Sequence, residues 1–249
     1  MLGAYIAILS VTSLQMPFIF AVILAIVGAG LISVFNEKIA YKRIRDNNSP
    51  TMFLMIAAMG LSTTFQNMAI VVFGPKFKMF PQVLPVGAVK IGSLSVGLLD
   101  LVSLAIAIIV IIGLEYLITK TKFGLAVKAA SSNMGTASLL GINVDKYIML
   151  VFFLAGSLAG ISGILYGMKY TVYPQLGNVA LKAFIASVFG GLGSVQGAII
   201  GAMGIGVLET LVSAYIHSGL RDLITFILLI AILLVRPTGL MGKDIQDKA

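Results

Sequence analysis

Residues 17–36, PFIFAVILAIVGAGLISVFN, hold no charged side chain across twenty consecutive positions. A hydrocarbon layer of about 30 Å is crossed by about 20 helical residues rising about 1.5 Å each, so this stretch is long enough to span one. The same holds at 51–73 and 147–168 and, with a few charges, at 98–118, 182–215 and 220–236. Lipid admits only helices or closed barrels, because every backbone polar group must find a partner inside the chain. Barrel strands alternate polar and apolar residues, which these runs do not. Apolar residues make up 59% of the chain and charged ones 10%, against about 25% charged in a soluble domain, and mean hydropathy is +1.07. The fold class expected is all-α, a polytopic transmembrane helix bundle embedded in a lipid bilayer.

The remaining composition removes several function classes. With no cysteine and a single histidine, His217, in a short loop, disulfide staples and Cys/His metal centres are excluded. A net charge of +8 would suit nucleic acid in a soluble chain, but these cations lie in short connections between spans, where they set orientation instead. Eleven of them (Lys38, Lys42, Arg43, Arg45, Lys120, Lys122, Lys128, Lys146, Arg236, Lys243, Lys248) fall on one side and six (Lys76, Lys78, Lys90, Lys169, Lys182, Arg221) on the other. The richer side is expected to be cytoplasmic. The start, MLGAYIAILSVTS, has no basic region or cleavage site of a signal peptide, and at about 13 apolar residues it is short for a span.

That orientation requires a break within 182–215, since the connections on either side of it would both be external. FGGLGSVQG, residues 189–197, supplies one through Gly190, Gly191, Gly193 and Gly197. Non-helical backbone at membrane depth survives only against protein or a water-filled cavity. A broken, re-entrant helix of this kind suits a substrate pathway; a kinked packing helix is the other reading the residues allow. Small residues also form stripes, Gly156, Gly160, Gly163 and Gly167 in one run and Gly193, Gly197 and Gly201 in another. They predict close helix packing in a compact bundle, which is expected to meet a second copy or a homologous subunit.

Residues 119–146 are too long for a tight turn and too apolar for a solvated tail. Phe123, Val127 and Ala130 share a helix face, with Lys120, Lys122 and Lys128 placed to reach lipid headgroups. Ser132 or Asn133 can cap a second short helix that ends at Gly141, with Met134, Ala137, Leu139, Leu140 and Ile142 as its apolar side. Isolated helices below about 12 residues are marginal in water, so this one needs a partner. A groove on a soluble protein and the underside of its own bundle are both open on these grounds.

The segment GLAVKAASSNMGTASLLGINVDK is similar to the cytoplasmic loop of ABC importer permeases of the branched-chain amino-acid family. The matching residues are Gly124, Ala126, Lys128, Ala129, Leu139, Gly141, Ile142 and Asn143. GLSTTFQN at 60–67, FGGLGSVQGAIIGAMGIGVLE at 189–209 and RPTGLMGK at 236–243 resemble the same family in the same order, so the likeness covers nearly the whole chain. It implies one transmembrane permease domain, 1–249, whose 119–146 loop sits in a cleft of an ABC ATPase subunit. The docking residues implied are Lys128, Ala129, Ser132, Met134, Leu139, Leu140, Gly141 and Ile142. It also implies a second homologous permease subunit, an extracytoplasmic solute-binding protein, import across the cytoplasmic membrane of a bacterium or archaeon, and ATP and Mg²⁺ on the partner with no cofactor on this chain. In one respect the loop departs from the family: Ser131, Ser132 and Asn133 stand where acidic residues are usual. The family normally carries a hydrophobic segment and an Asn-Phe-Ala-His-Gly type turn before MLGAY, so a chain shortened at its N-terminus is expected.

Within 51–73 the residues Gly60, Thr63, Thr64 and Asn67 share one face, with Ser62 and Gln66 beside it. In lipid such a face turns to protein or water. Thr63, Thr64, Gln66 and Asn67 are therefore candidates to line a solute path, with interhelical hydrogen bonding the equal alternative. Glu209 is the most deeply placed acid of the later helices; it must face the bundle interior, pair, or stay protonated, and it is a candidate for the path or for a structural bond. An ion-gradient-driven transporter or channel, coupled through Glu209 or Asp100, is the rival function. A passive membrane anchor would leave Gln66, Asn67 and the glycine break without a purpose.

Overall fold

The computed structural model describes residues 1–47, 50–81, 87–91, 94–191, 193–236 and 239–241. Pro237, Thr238, Lys243 and Lys248 of the tail lie outside the described residues, as does the side chain of Lys90. Six described helices are long and apolar enough to cross a membrane. The chain falls into two compact units, Met1–Leu176 and Gly177–Ala249.

The first unit opens with α1 (Leu2–Thr12) and α2 (Phe18–Asn36), which continues without interruption through a π-turn (Glu37–Tyr41) into α3 (Lys42–Asp46). The charged stretch from residue 37, expected as a connection, is thus largely helical. The helix tolerates the charge because Glu37 is paired by Arg45 at 2.8 Å. Next come α4 (Thr51–Phe73), a hairpin of β1 (Ala88–Ile91) against β2 (Leu94–Gly97), α5 (Leu98–Lys120), α6 (Lys122–Ser132), α7 (Met134–Leu139) and α8 (Val144–Lys169). The hairpin is the one sheet among the described residues.

Although too short to span, α1 is the best buried helix of the unit: Ala4, Tyr5 and Ala7 are fully covered. Its glycine and alanines let α8 come close. A Cβ on Gly3 would sit 2.8 Å from Gly160 Cα, and one on Gly156 would sit 2.5 Å from Ser33 Cβ and 2.7 Å from the Ala29 carbonyl oxygen of α2. The stripe Gly156–Gly160–Gly163 is therefore consumed inside this unit, against α1 and α2. That is the close helix packing the stripe predicts. At the other end of α8, Lys78 and Val172 exchange both backbone hydrogen bonds at 2.9 Å, and the Tyr5 ring stacks on Phe73 of α4 at 4.5 Å.

The second unit holds α9 (Val179–Gly190), α10 (Val195–Tyr215) and α11 (Arg221–Val235). Contacts between α9 and α10 run antiparallel. Gly190 meets Gly197 and Ala186 meets Gly201 so closely that a Cβ on any of these glycines would enter the facing backbone, and Lys182 reaches Glu209 at 3.0 Å. The reversal is made by Gly191 (φ +113°) and Gly193 (φ +89°), a backbone region that side chains disfavour. Ser194 then caps α10, accepting from Gly197 N–H at 3.0 Å.

Candidate coupling segment and solute path

The 119–146 segment is shaped by three side-chain caps. Thr121 accepts from Gly124 N–H at 3.2 Å to begin α6, Asn133 from Thr136 N–H at 2.9 Å to begin α7, and Asn143 from Lys146 N–H at 3.1 Å to begin α8. Each satisfies a donor that the first turn leaves orphaned. Of the two residues able to cap α7, Asn133 does so, and Ser132 bonds back to the Lys128 carbonyl at 3.1 Å. Gly141, with φ +83°, turns the chain out of α7. Gly124 fits so tightly under α5 that a Cβ there would enter the Ile118 carbonyl, folding α6 back beneath that span.

This anchoring separates the apolar residues of α7 into two groups. Ala137 is buried and Ile142 half-buried, whereas Met134, Leu139 and Leu140 point away from the chain, the last two 90% and 75% exposed. Lys128 is exposed and Ala129 half-buried. Leu125, unremarked in the sequence pattern, is 70% exposed on α6. Four large apolar side chains, three on helices of eleven and six residues and one, Leu140, at the cap of the second, are thus left uncovered by the described residues.

On α4 the polar residues form part of a shallow groove along the helix's own face, lined by Gly60, Thr63, Thr64, Asn67, Met68, Val71 and Val72, all from α4 itself. Thr63 donates to the Met59 carbonyl at 3.0 Å, Thr64 to Gly60 at 2.8 Å and Asn67 to Thr63 at 2.8 Å. Gln66 donates to Ser62 Oγ at 3.2 Å, to the side of the groove. For Thr63, Thr64 and Asn67, a donor bonded to the helix's own carbonyls leaves side-chain oxygen lone pairs able to accept from another group.

Glu209, in the second unit, has a different setting. Lys182 holds its carboxylate at 3.0 Å, Thr225 donates to it at 3.1 Å, and Lys182 also reaches Asp222 at 2.7 Å. The acid thereby links α9, α10 and α11. Gly190, Gly191, Gly193 and Gly197 form the reversal already described, and the tail seals it. Leu240 and Met241 N–H donate to the Phe189 and Gly190 carbonyls at 3.0 and 2.9 Å, occupying acceptors that the end of α9 exposes. RPTGLMGK, noticed in the sequence only as a family likeness, thus contributes a helix stop.

The sequence pattern of the family described as branched-chain amino acid transport system, permease component, matches residues 1–233. The high-affinity branched-chain amino acid transport system permease protein LivH of Salmonella typhimurium is 34% identical over 262 aligned positions, covering 100% of this chain and 84% of that one. BraD of Pseudomonas aeruginosa, with the same description, is 32% identical over 100% of this chain and 85% of its own. The probable branched-chain amino acid transport permease LivH of Methanocaldococcus jannaschii is 31% identical over 97% and 80%. No solved structure matches. Long apolar helices, a capped segment with outward leucines and agreement along the whole length lead to one assignment: the chain is a multi-pass membrane protein and belongs to the family of permease components of branched-chain amino acid transport systems.

Proposed function

We propose that the chain is the membrane subunit of an ATP-driven importer for branched-chain amino acids or related small polar solutes, acting as a single permease domain in the cytoplasmic membrane of a bacterium or archaeon. The observation that carries this reading is α7, six residues long and capped by Asn133, with Leu139 and Leu140 facing outward. A helix that short needs a partner, and its uncovered leucines suit a cleft in an ABC ATPase. Ser131, Ser132 and Asn133 would give that contact neutral polar groups. ATP and Mg²⁺ belong to the ATPase, since the sequence contains no glycine loop ending in Lys-Ser or Lys-Thr, and this chain needs no cofactor of its own.

The groove on α4 suits the solute. Thr63, Thr64 and Asn67 offer oxygens to an ammonium, and Met68, Val71 and Val72 offer apolar surface to an aliphatic side chain. A polar face on a lipid-length helix calls for cover by protein or water, which a second homologous permease facing it would complete, while an extracytoplasmic binding protein delivers the solute. An ion-driven mechanism would need Asp100 or Glu209 to exchange ions, yet Lys169 holds Asp100 at 2.6 Å and Lys182 holds Glu209 at 3.0 Å.

The test is uptake of labelled leucine by vesicles containing the chain, a homologous permease, ATPases and binding protein, with ion gradients collapsed. Uptake should require ATP; uptake driven by an imposed ion gradient without ATP would overturn the reading. Replacing Leu140 by Asp should release the ATPase, read by co-purification, and leave the thermal stability of the bundle unchanged.

A further inference from the structure

Four charged residues meet where α2 ends and α8 begins. Arg45 Nη1 donates to Glu37 Oε1 at 2.8 Å and its Nη2 to Asp145 Oδ1 at 2.9 Å, while Lys42 Nζ donates to Asp145 Oδ2 at 2.6 Å. Glu37 is 0% exposed, and a buried carboxylate persists only when it is paired. The backbone is arranged to pair it. In a uniform α-helix, eight residues overshoot two turns by about 80°, which would swing Arg45 away from Glu37. The wider i→i+5 winding of the π-turn Glu37–Tyr41 takes up that overshoot. Tyr41 adds a ring contact to Phe152 of α8 at 5.3 Å.

Asp145 belongs to the first turn of α8, four residues beyond Gly141, the positive-φ exit from α7. Arg45 and Lys42 are therefore the two points at which the end of the 119–146 segment is fastened to the helix that packs along α8 through Gly156 and Gly160. We propose that Arg45 is a positioning residue for transport: anchored by buried Glu37 and gripping Asp145, it makes the start of α8 and the α2–α3 rod move together when the coupling segment moves. Without it and the neighbouring Lys42, which holds the other Asp145 oxygen, α8 would pivot at Gly141 and the movement would be lost before it reached the spans. This proposal rests on the ATPase-docking reading above.

The test uses the assembled transporter with its ATPases, homologous permease and binding protein, in vesicles. The variant is Glu37→Gln with Lys42→Gln and Arg45→Gln, which removes both arms of Arg45 and the second cation on Asp145 and leaves no lone buried charge. The readout is leucine imported per ATP hydrolysed, a ratio that mere loss of folded complex does not change. The ratio is expected to fall roughly tenfold, within the range of coupling residues, with the ATPase still co-purifying. An unchanged ratio overturns the proposal, whether uptake and hydrolysis fall together or both persist. Asp145→Asn, which removes the α8 arm and keeps Glu37 paired, must lower the same ratio; if it does not, the clasp is structural only. Failure of the unmodified chain to retain an ATPase would instead sink the docking reading itself.

Discussion

Gly156 shows how much of this protein rests on missing side chains. Apolar surface gives helices no reason to associate in lipid, so contact depends on close approach and dispersion. A Cβ at Gly156 would come 2.7 Å from the Ala29 carbonyl oxygen, whereas one at Gly113 on α5 would meet nothing within 4 Å. Gly156→Val should therefore cost about 1–3 kcal/mol of overpacking and lower the thermal midpoint of the purified protein in detergent. Gly113→Val should leave that midpoint where it was. Equal loss at both positions would show that helix propensity, and not the α2–α8 contact, sets the value of these glycines.

Among the elements, α9 depends most on a distant part of the chain. Its last carbonyls accept from Leu240 and Met241, and Gly239 (φ +79°) lies so close that a Cβ there would be 2.6 Å from Gly191 Cα and from the Val188 carbonyl oxygen. Gly239→Val should loosen the 189–197 reversal. The expected signs are faster hydrogen exchange at the end of α9 with unchanged exchange in α2 and α8; uniform protection throughout would show that the tail is dispensable. This element also marks what a sequence discloses. The runs at 17–36, 51–73 and 147–168 were legible because lipid demands about 20 apolar residues in a row, and the reversal was legible because four glycines in nine residues are a local signal. The tail's bonds to α9 were not, because they join residues about fifty positions apart. Nor was the clasp: Glu37 read as the start of a connection, since its partner's second carboxylate, Asp145, lies 100 residues away. The candidate site was legible to the same degree. Gly141 and the outward Leu139 and Leu140 follow from local pattern, but Ser132 and Asn133 suit a cap equally well until the fold places one of them.

For the whole molecule the deciding physical quantity is orientation, which the distribution of lysine and arginine sets during insertion. Eleven cations on one side against six on the other lead to the expectation that the 119–146 segment is cytoplasmic and the connection after α10 external. Every mechanistic step proposed above requires this sidedness, because an ATPase reaches Leu139 only from the cytoplasm. The chain contains no cysteine, so single cysteines report position without background. Leu139→Cys and Tyr215→Cys sit at side chains 90% and 83% exposed. In intact right-side-out cells a membrane-impermeant maleimide should label Tyr215→Cys and spare Leu139→Cys, and in inside-out vesicles the pattern should reverse. Labelling of Leu139→Cys from outside would invert the topology, place α7 beyond reach of any ATPase, and leave the exposed leucines to a partner on the other face of the membrane.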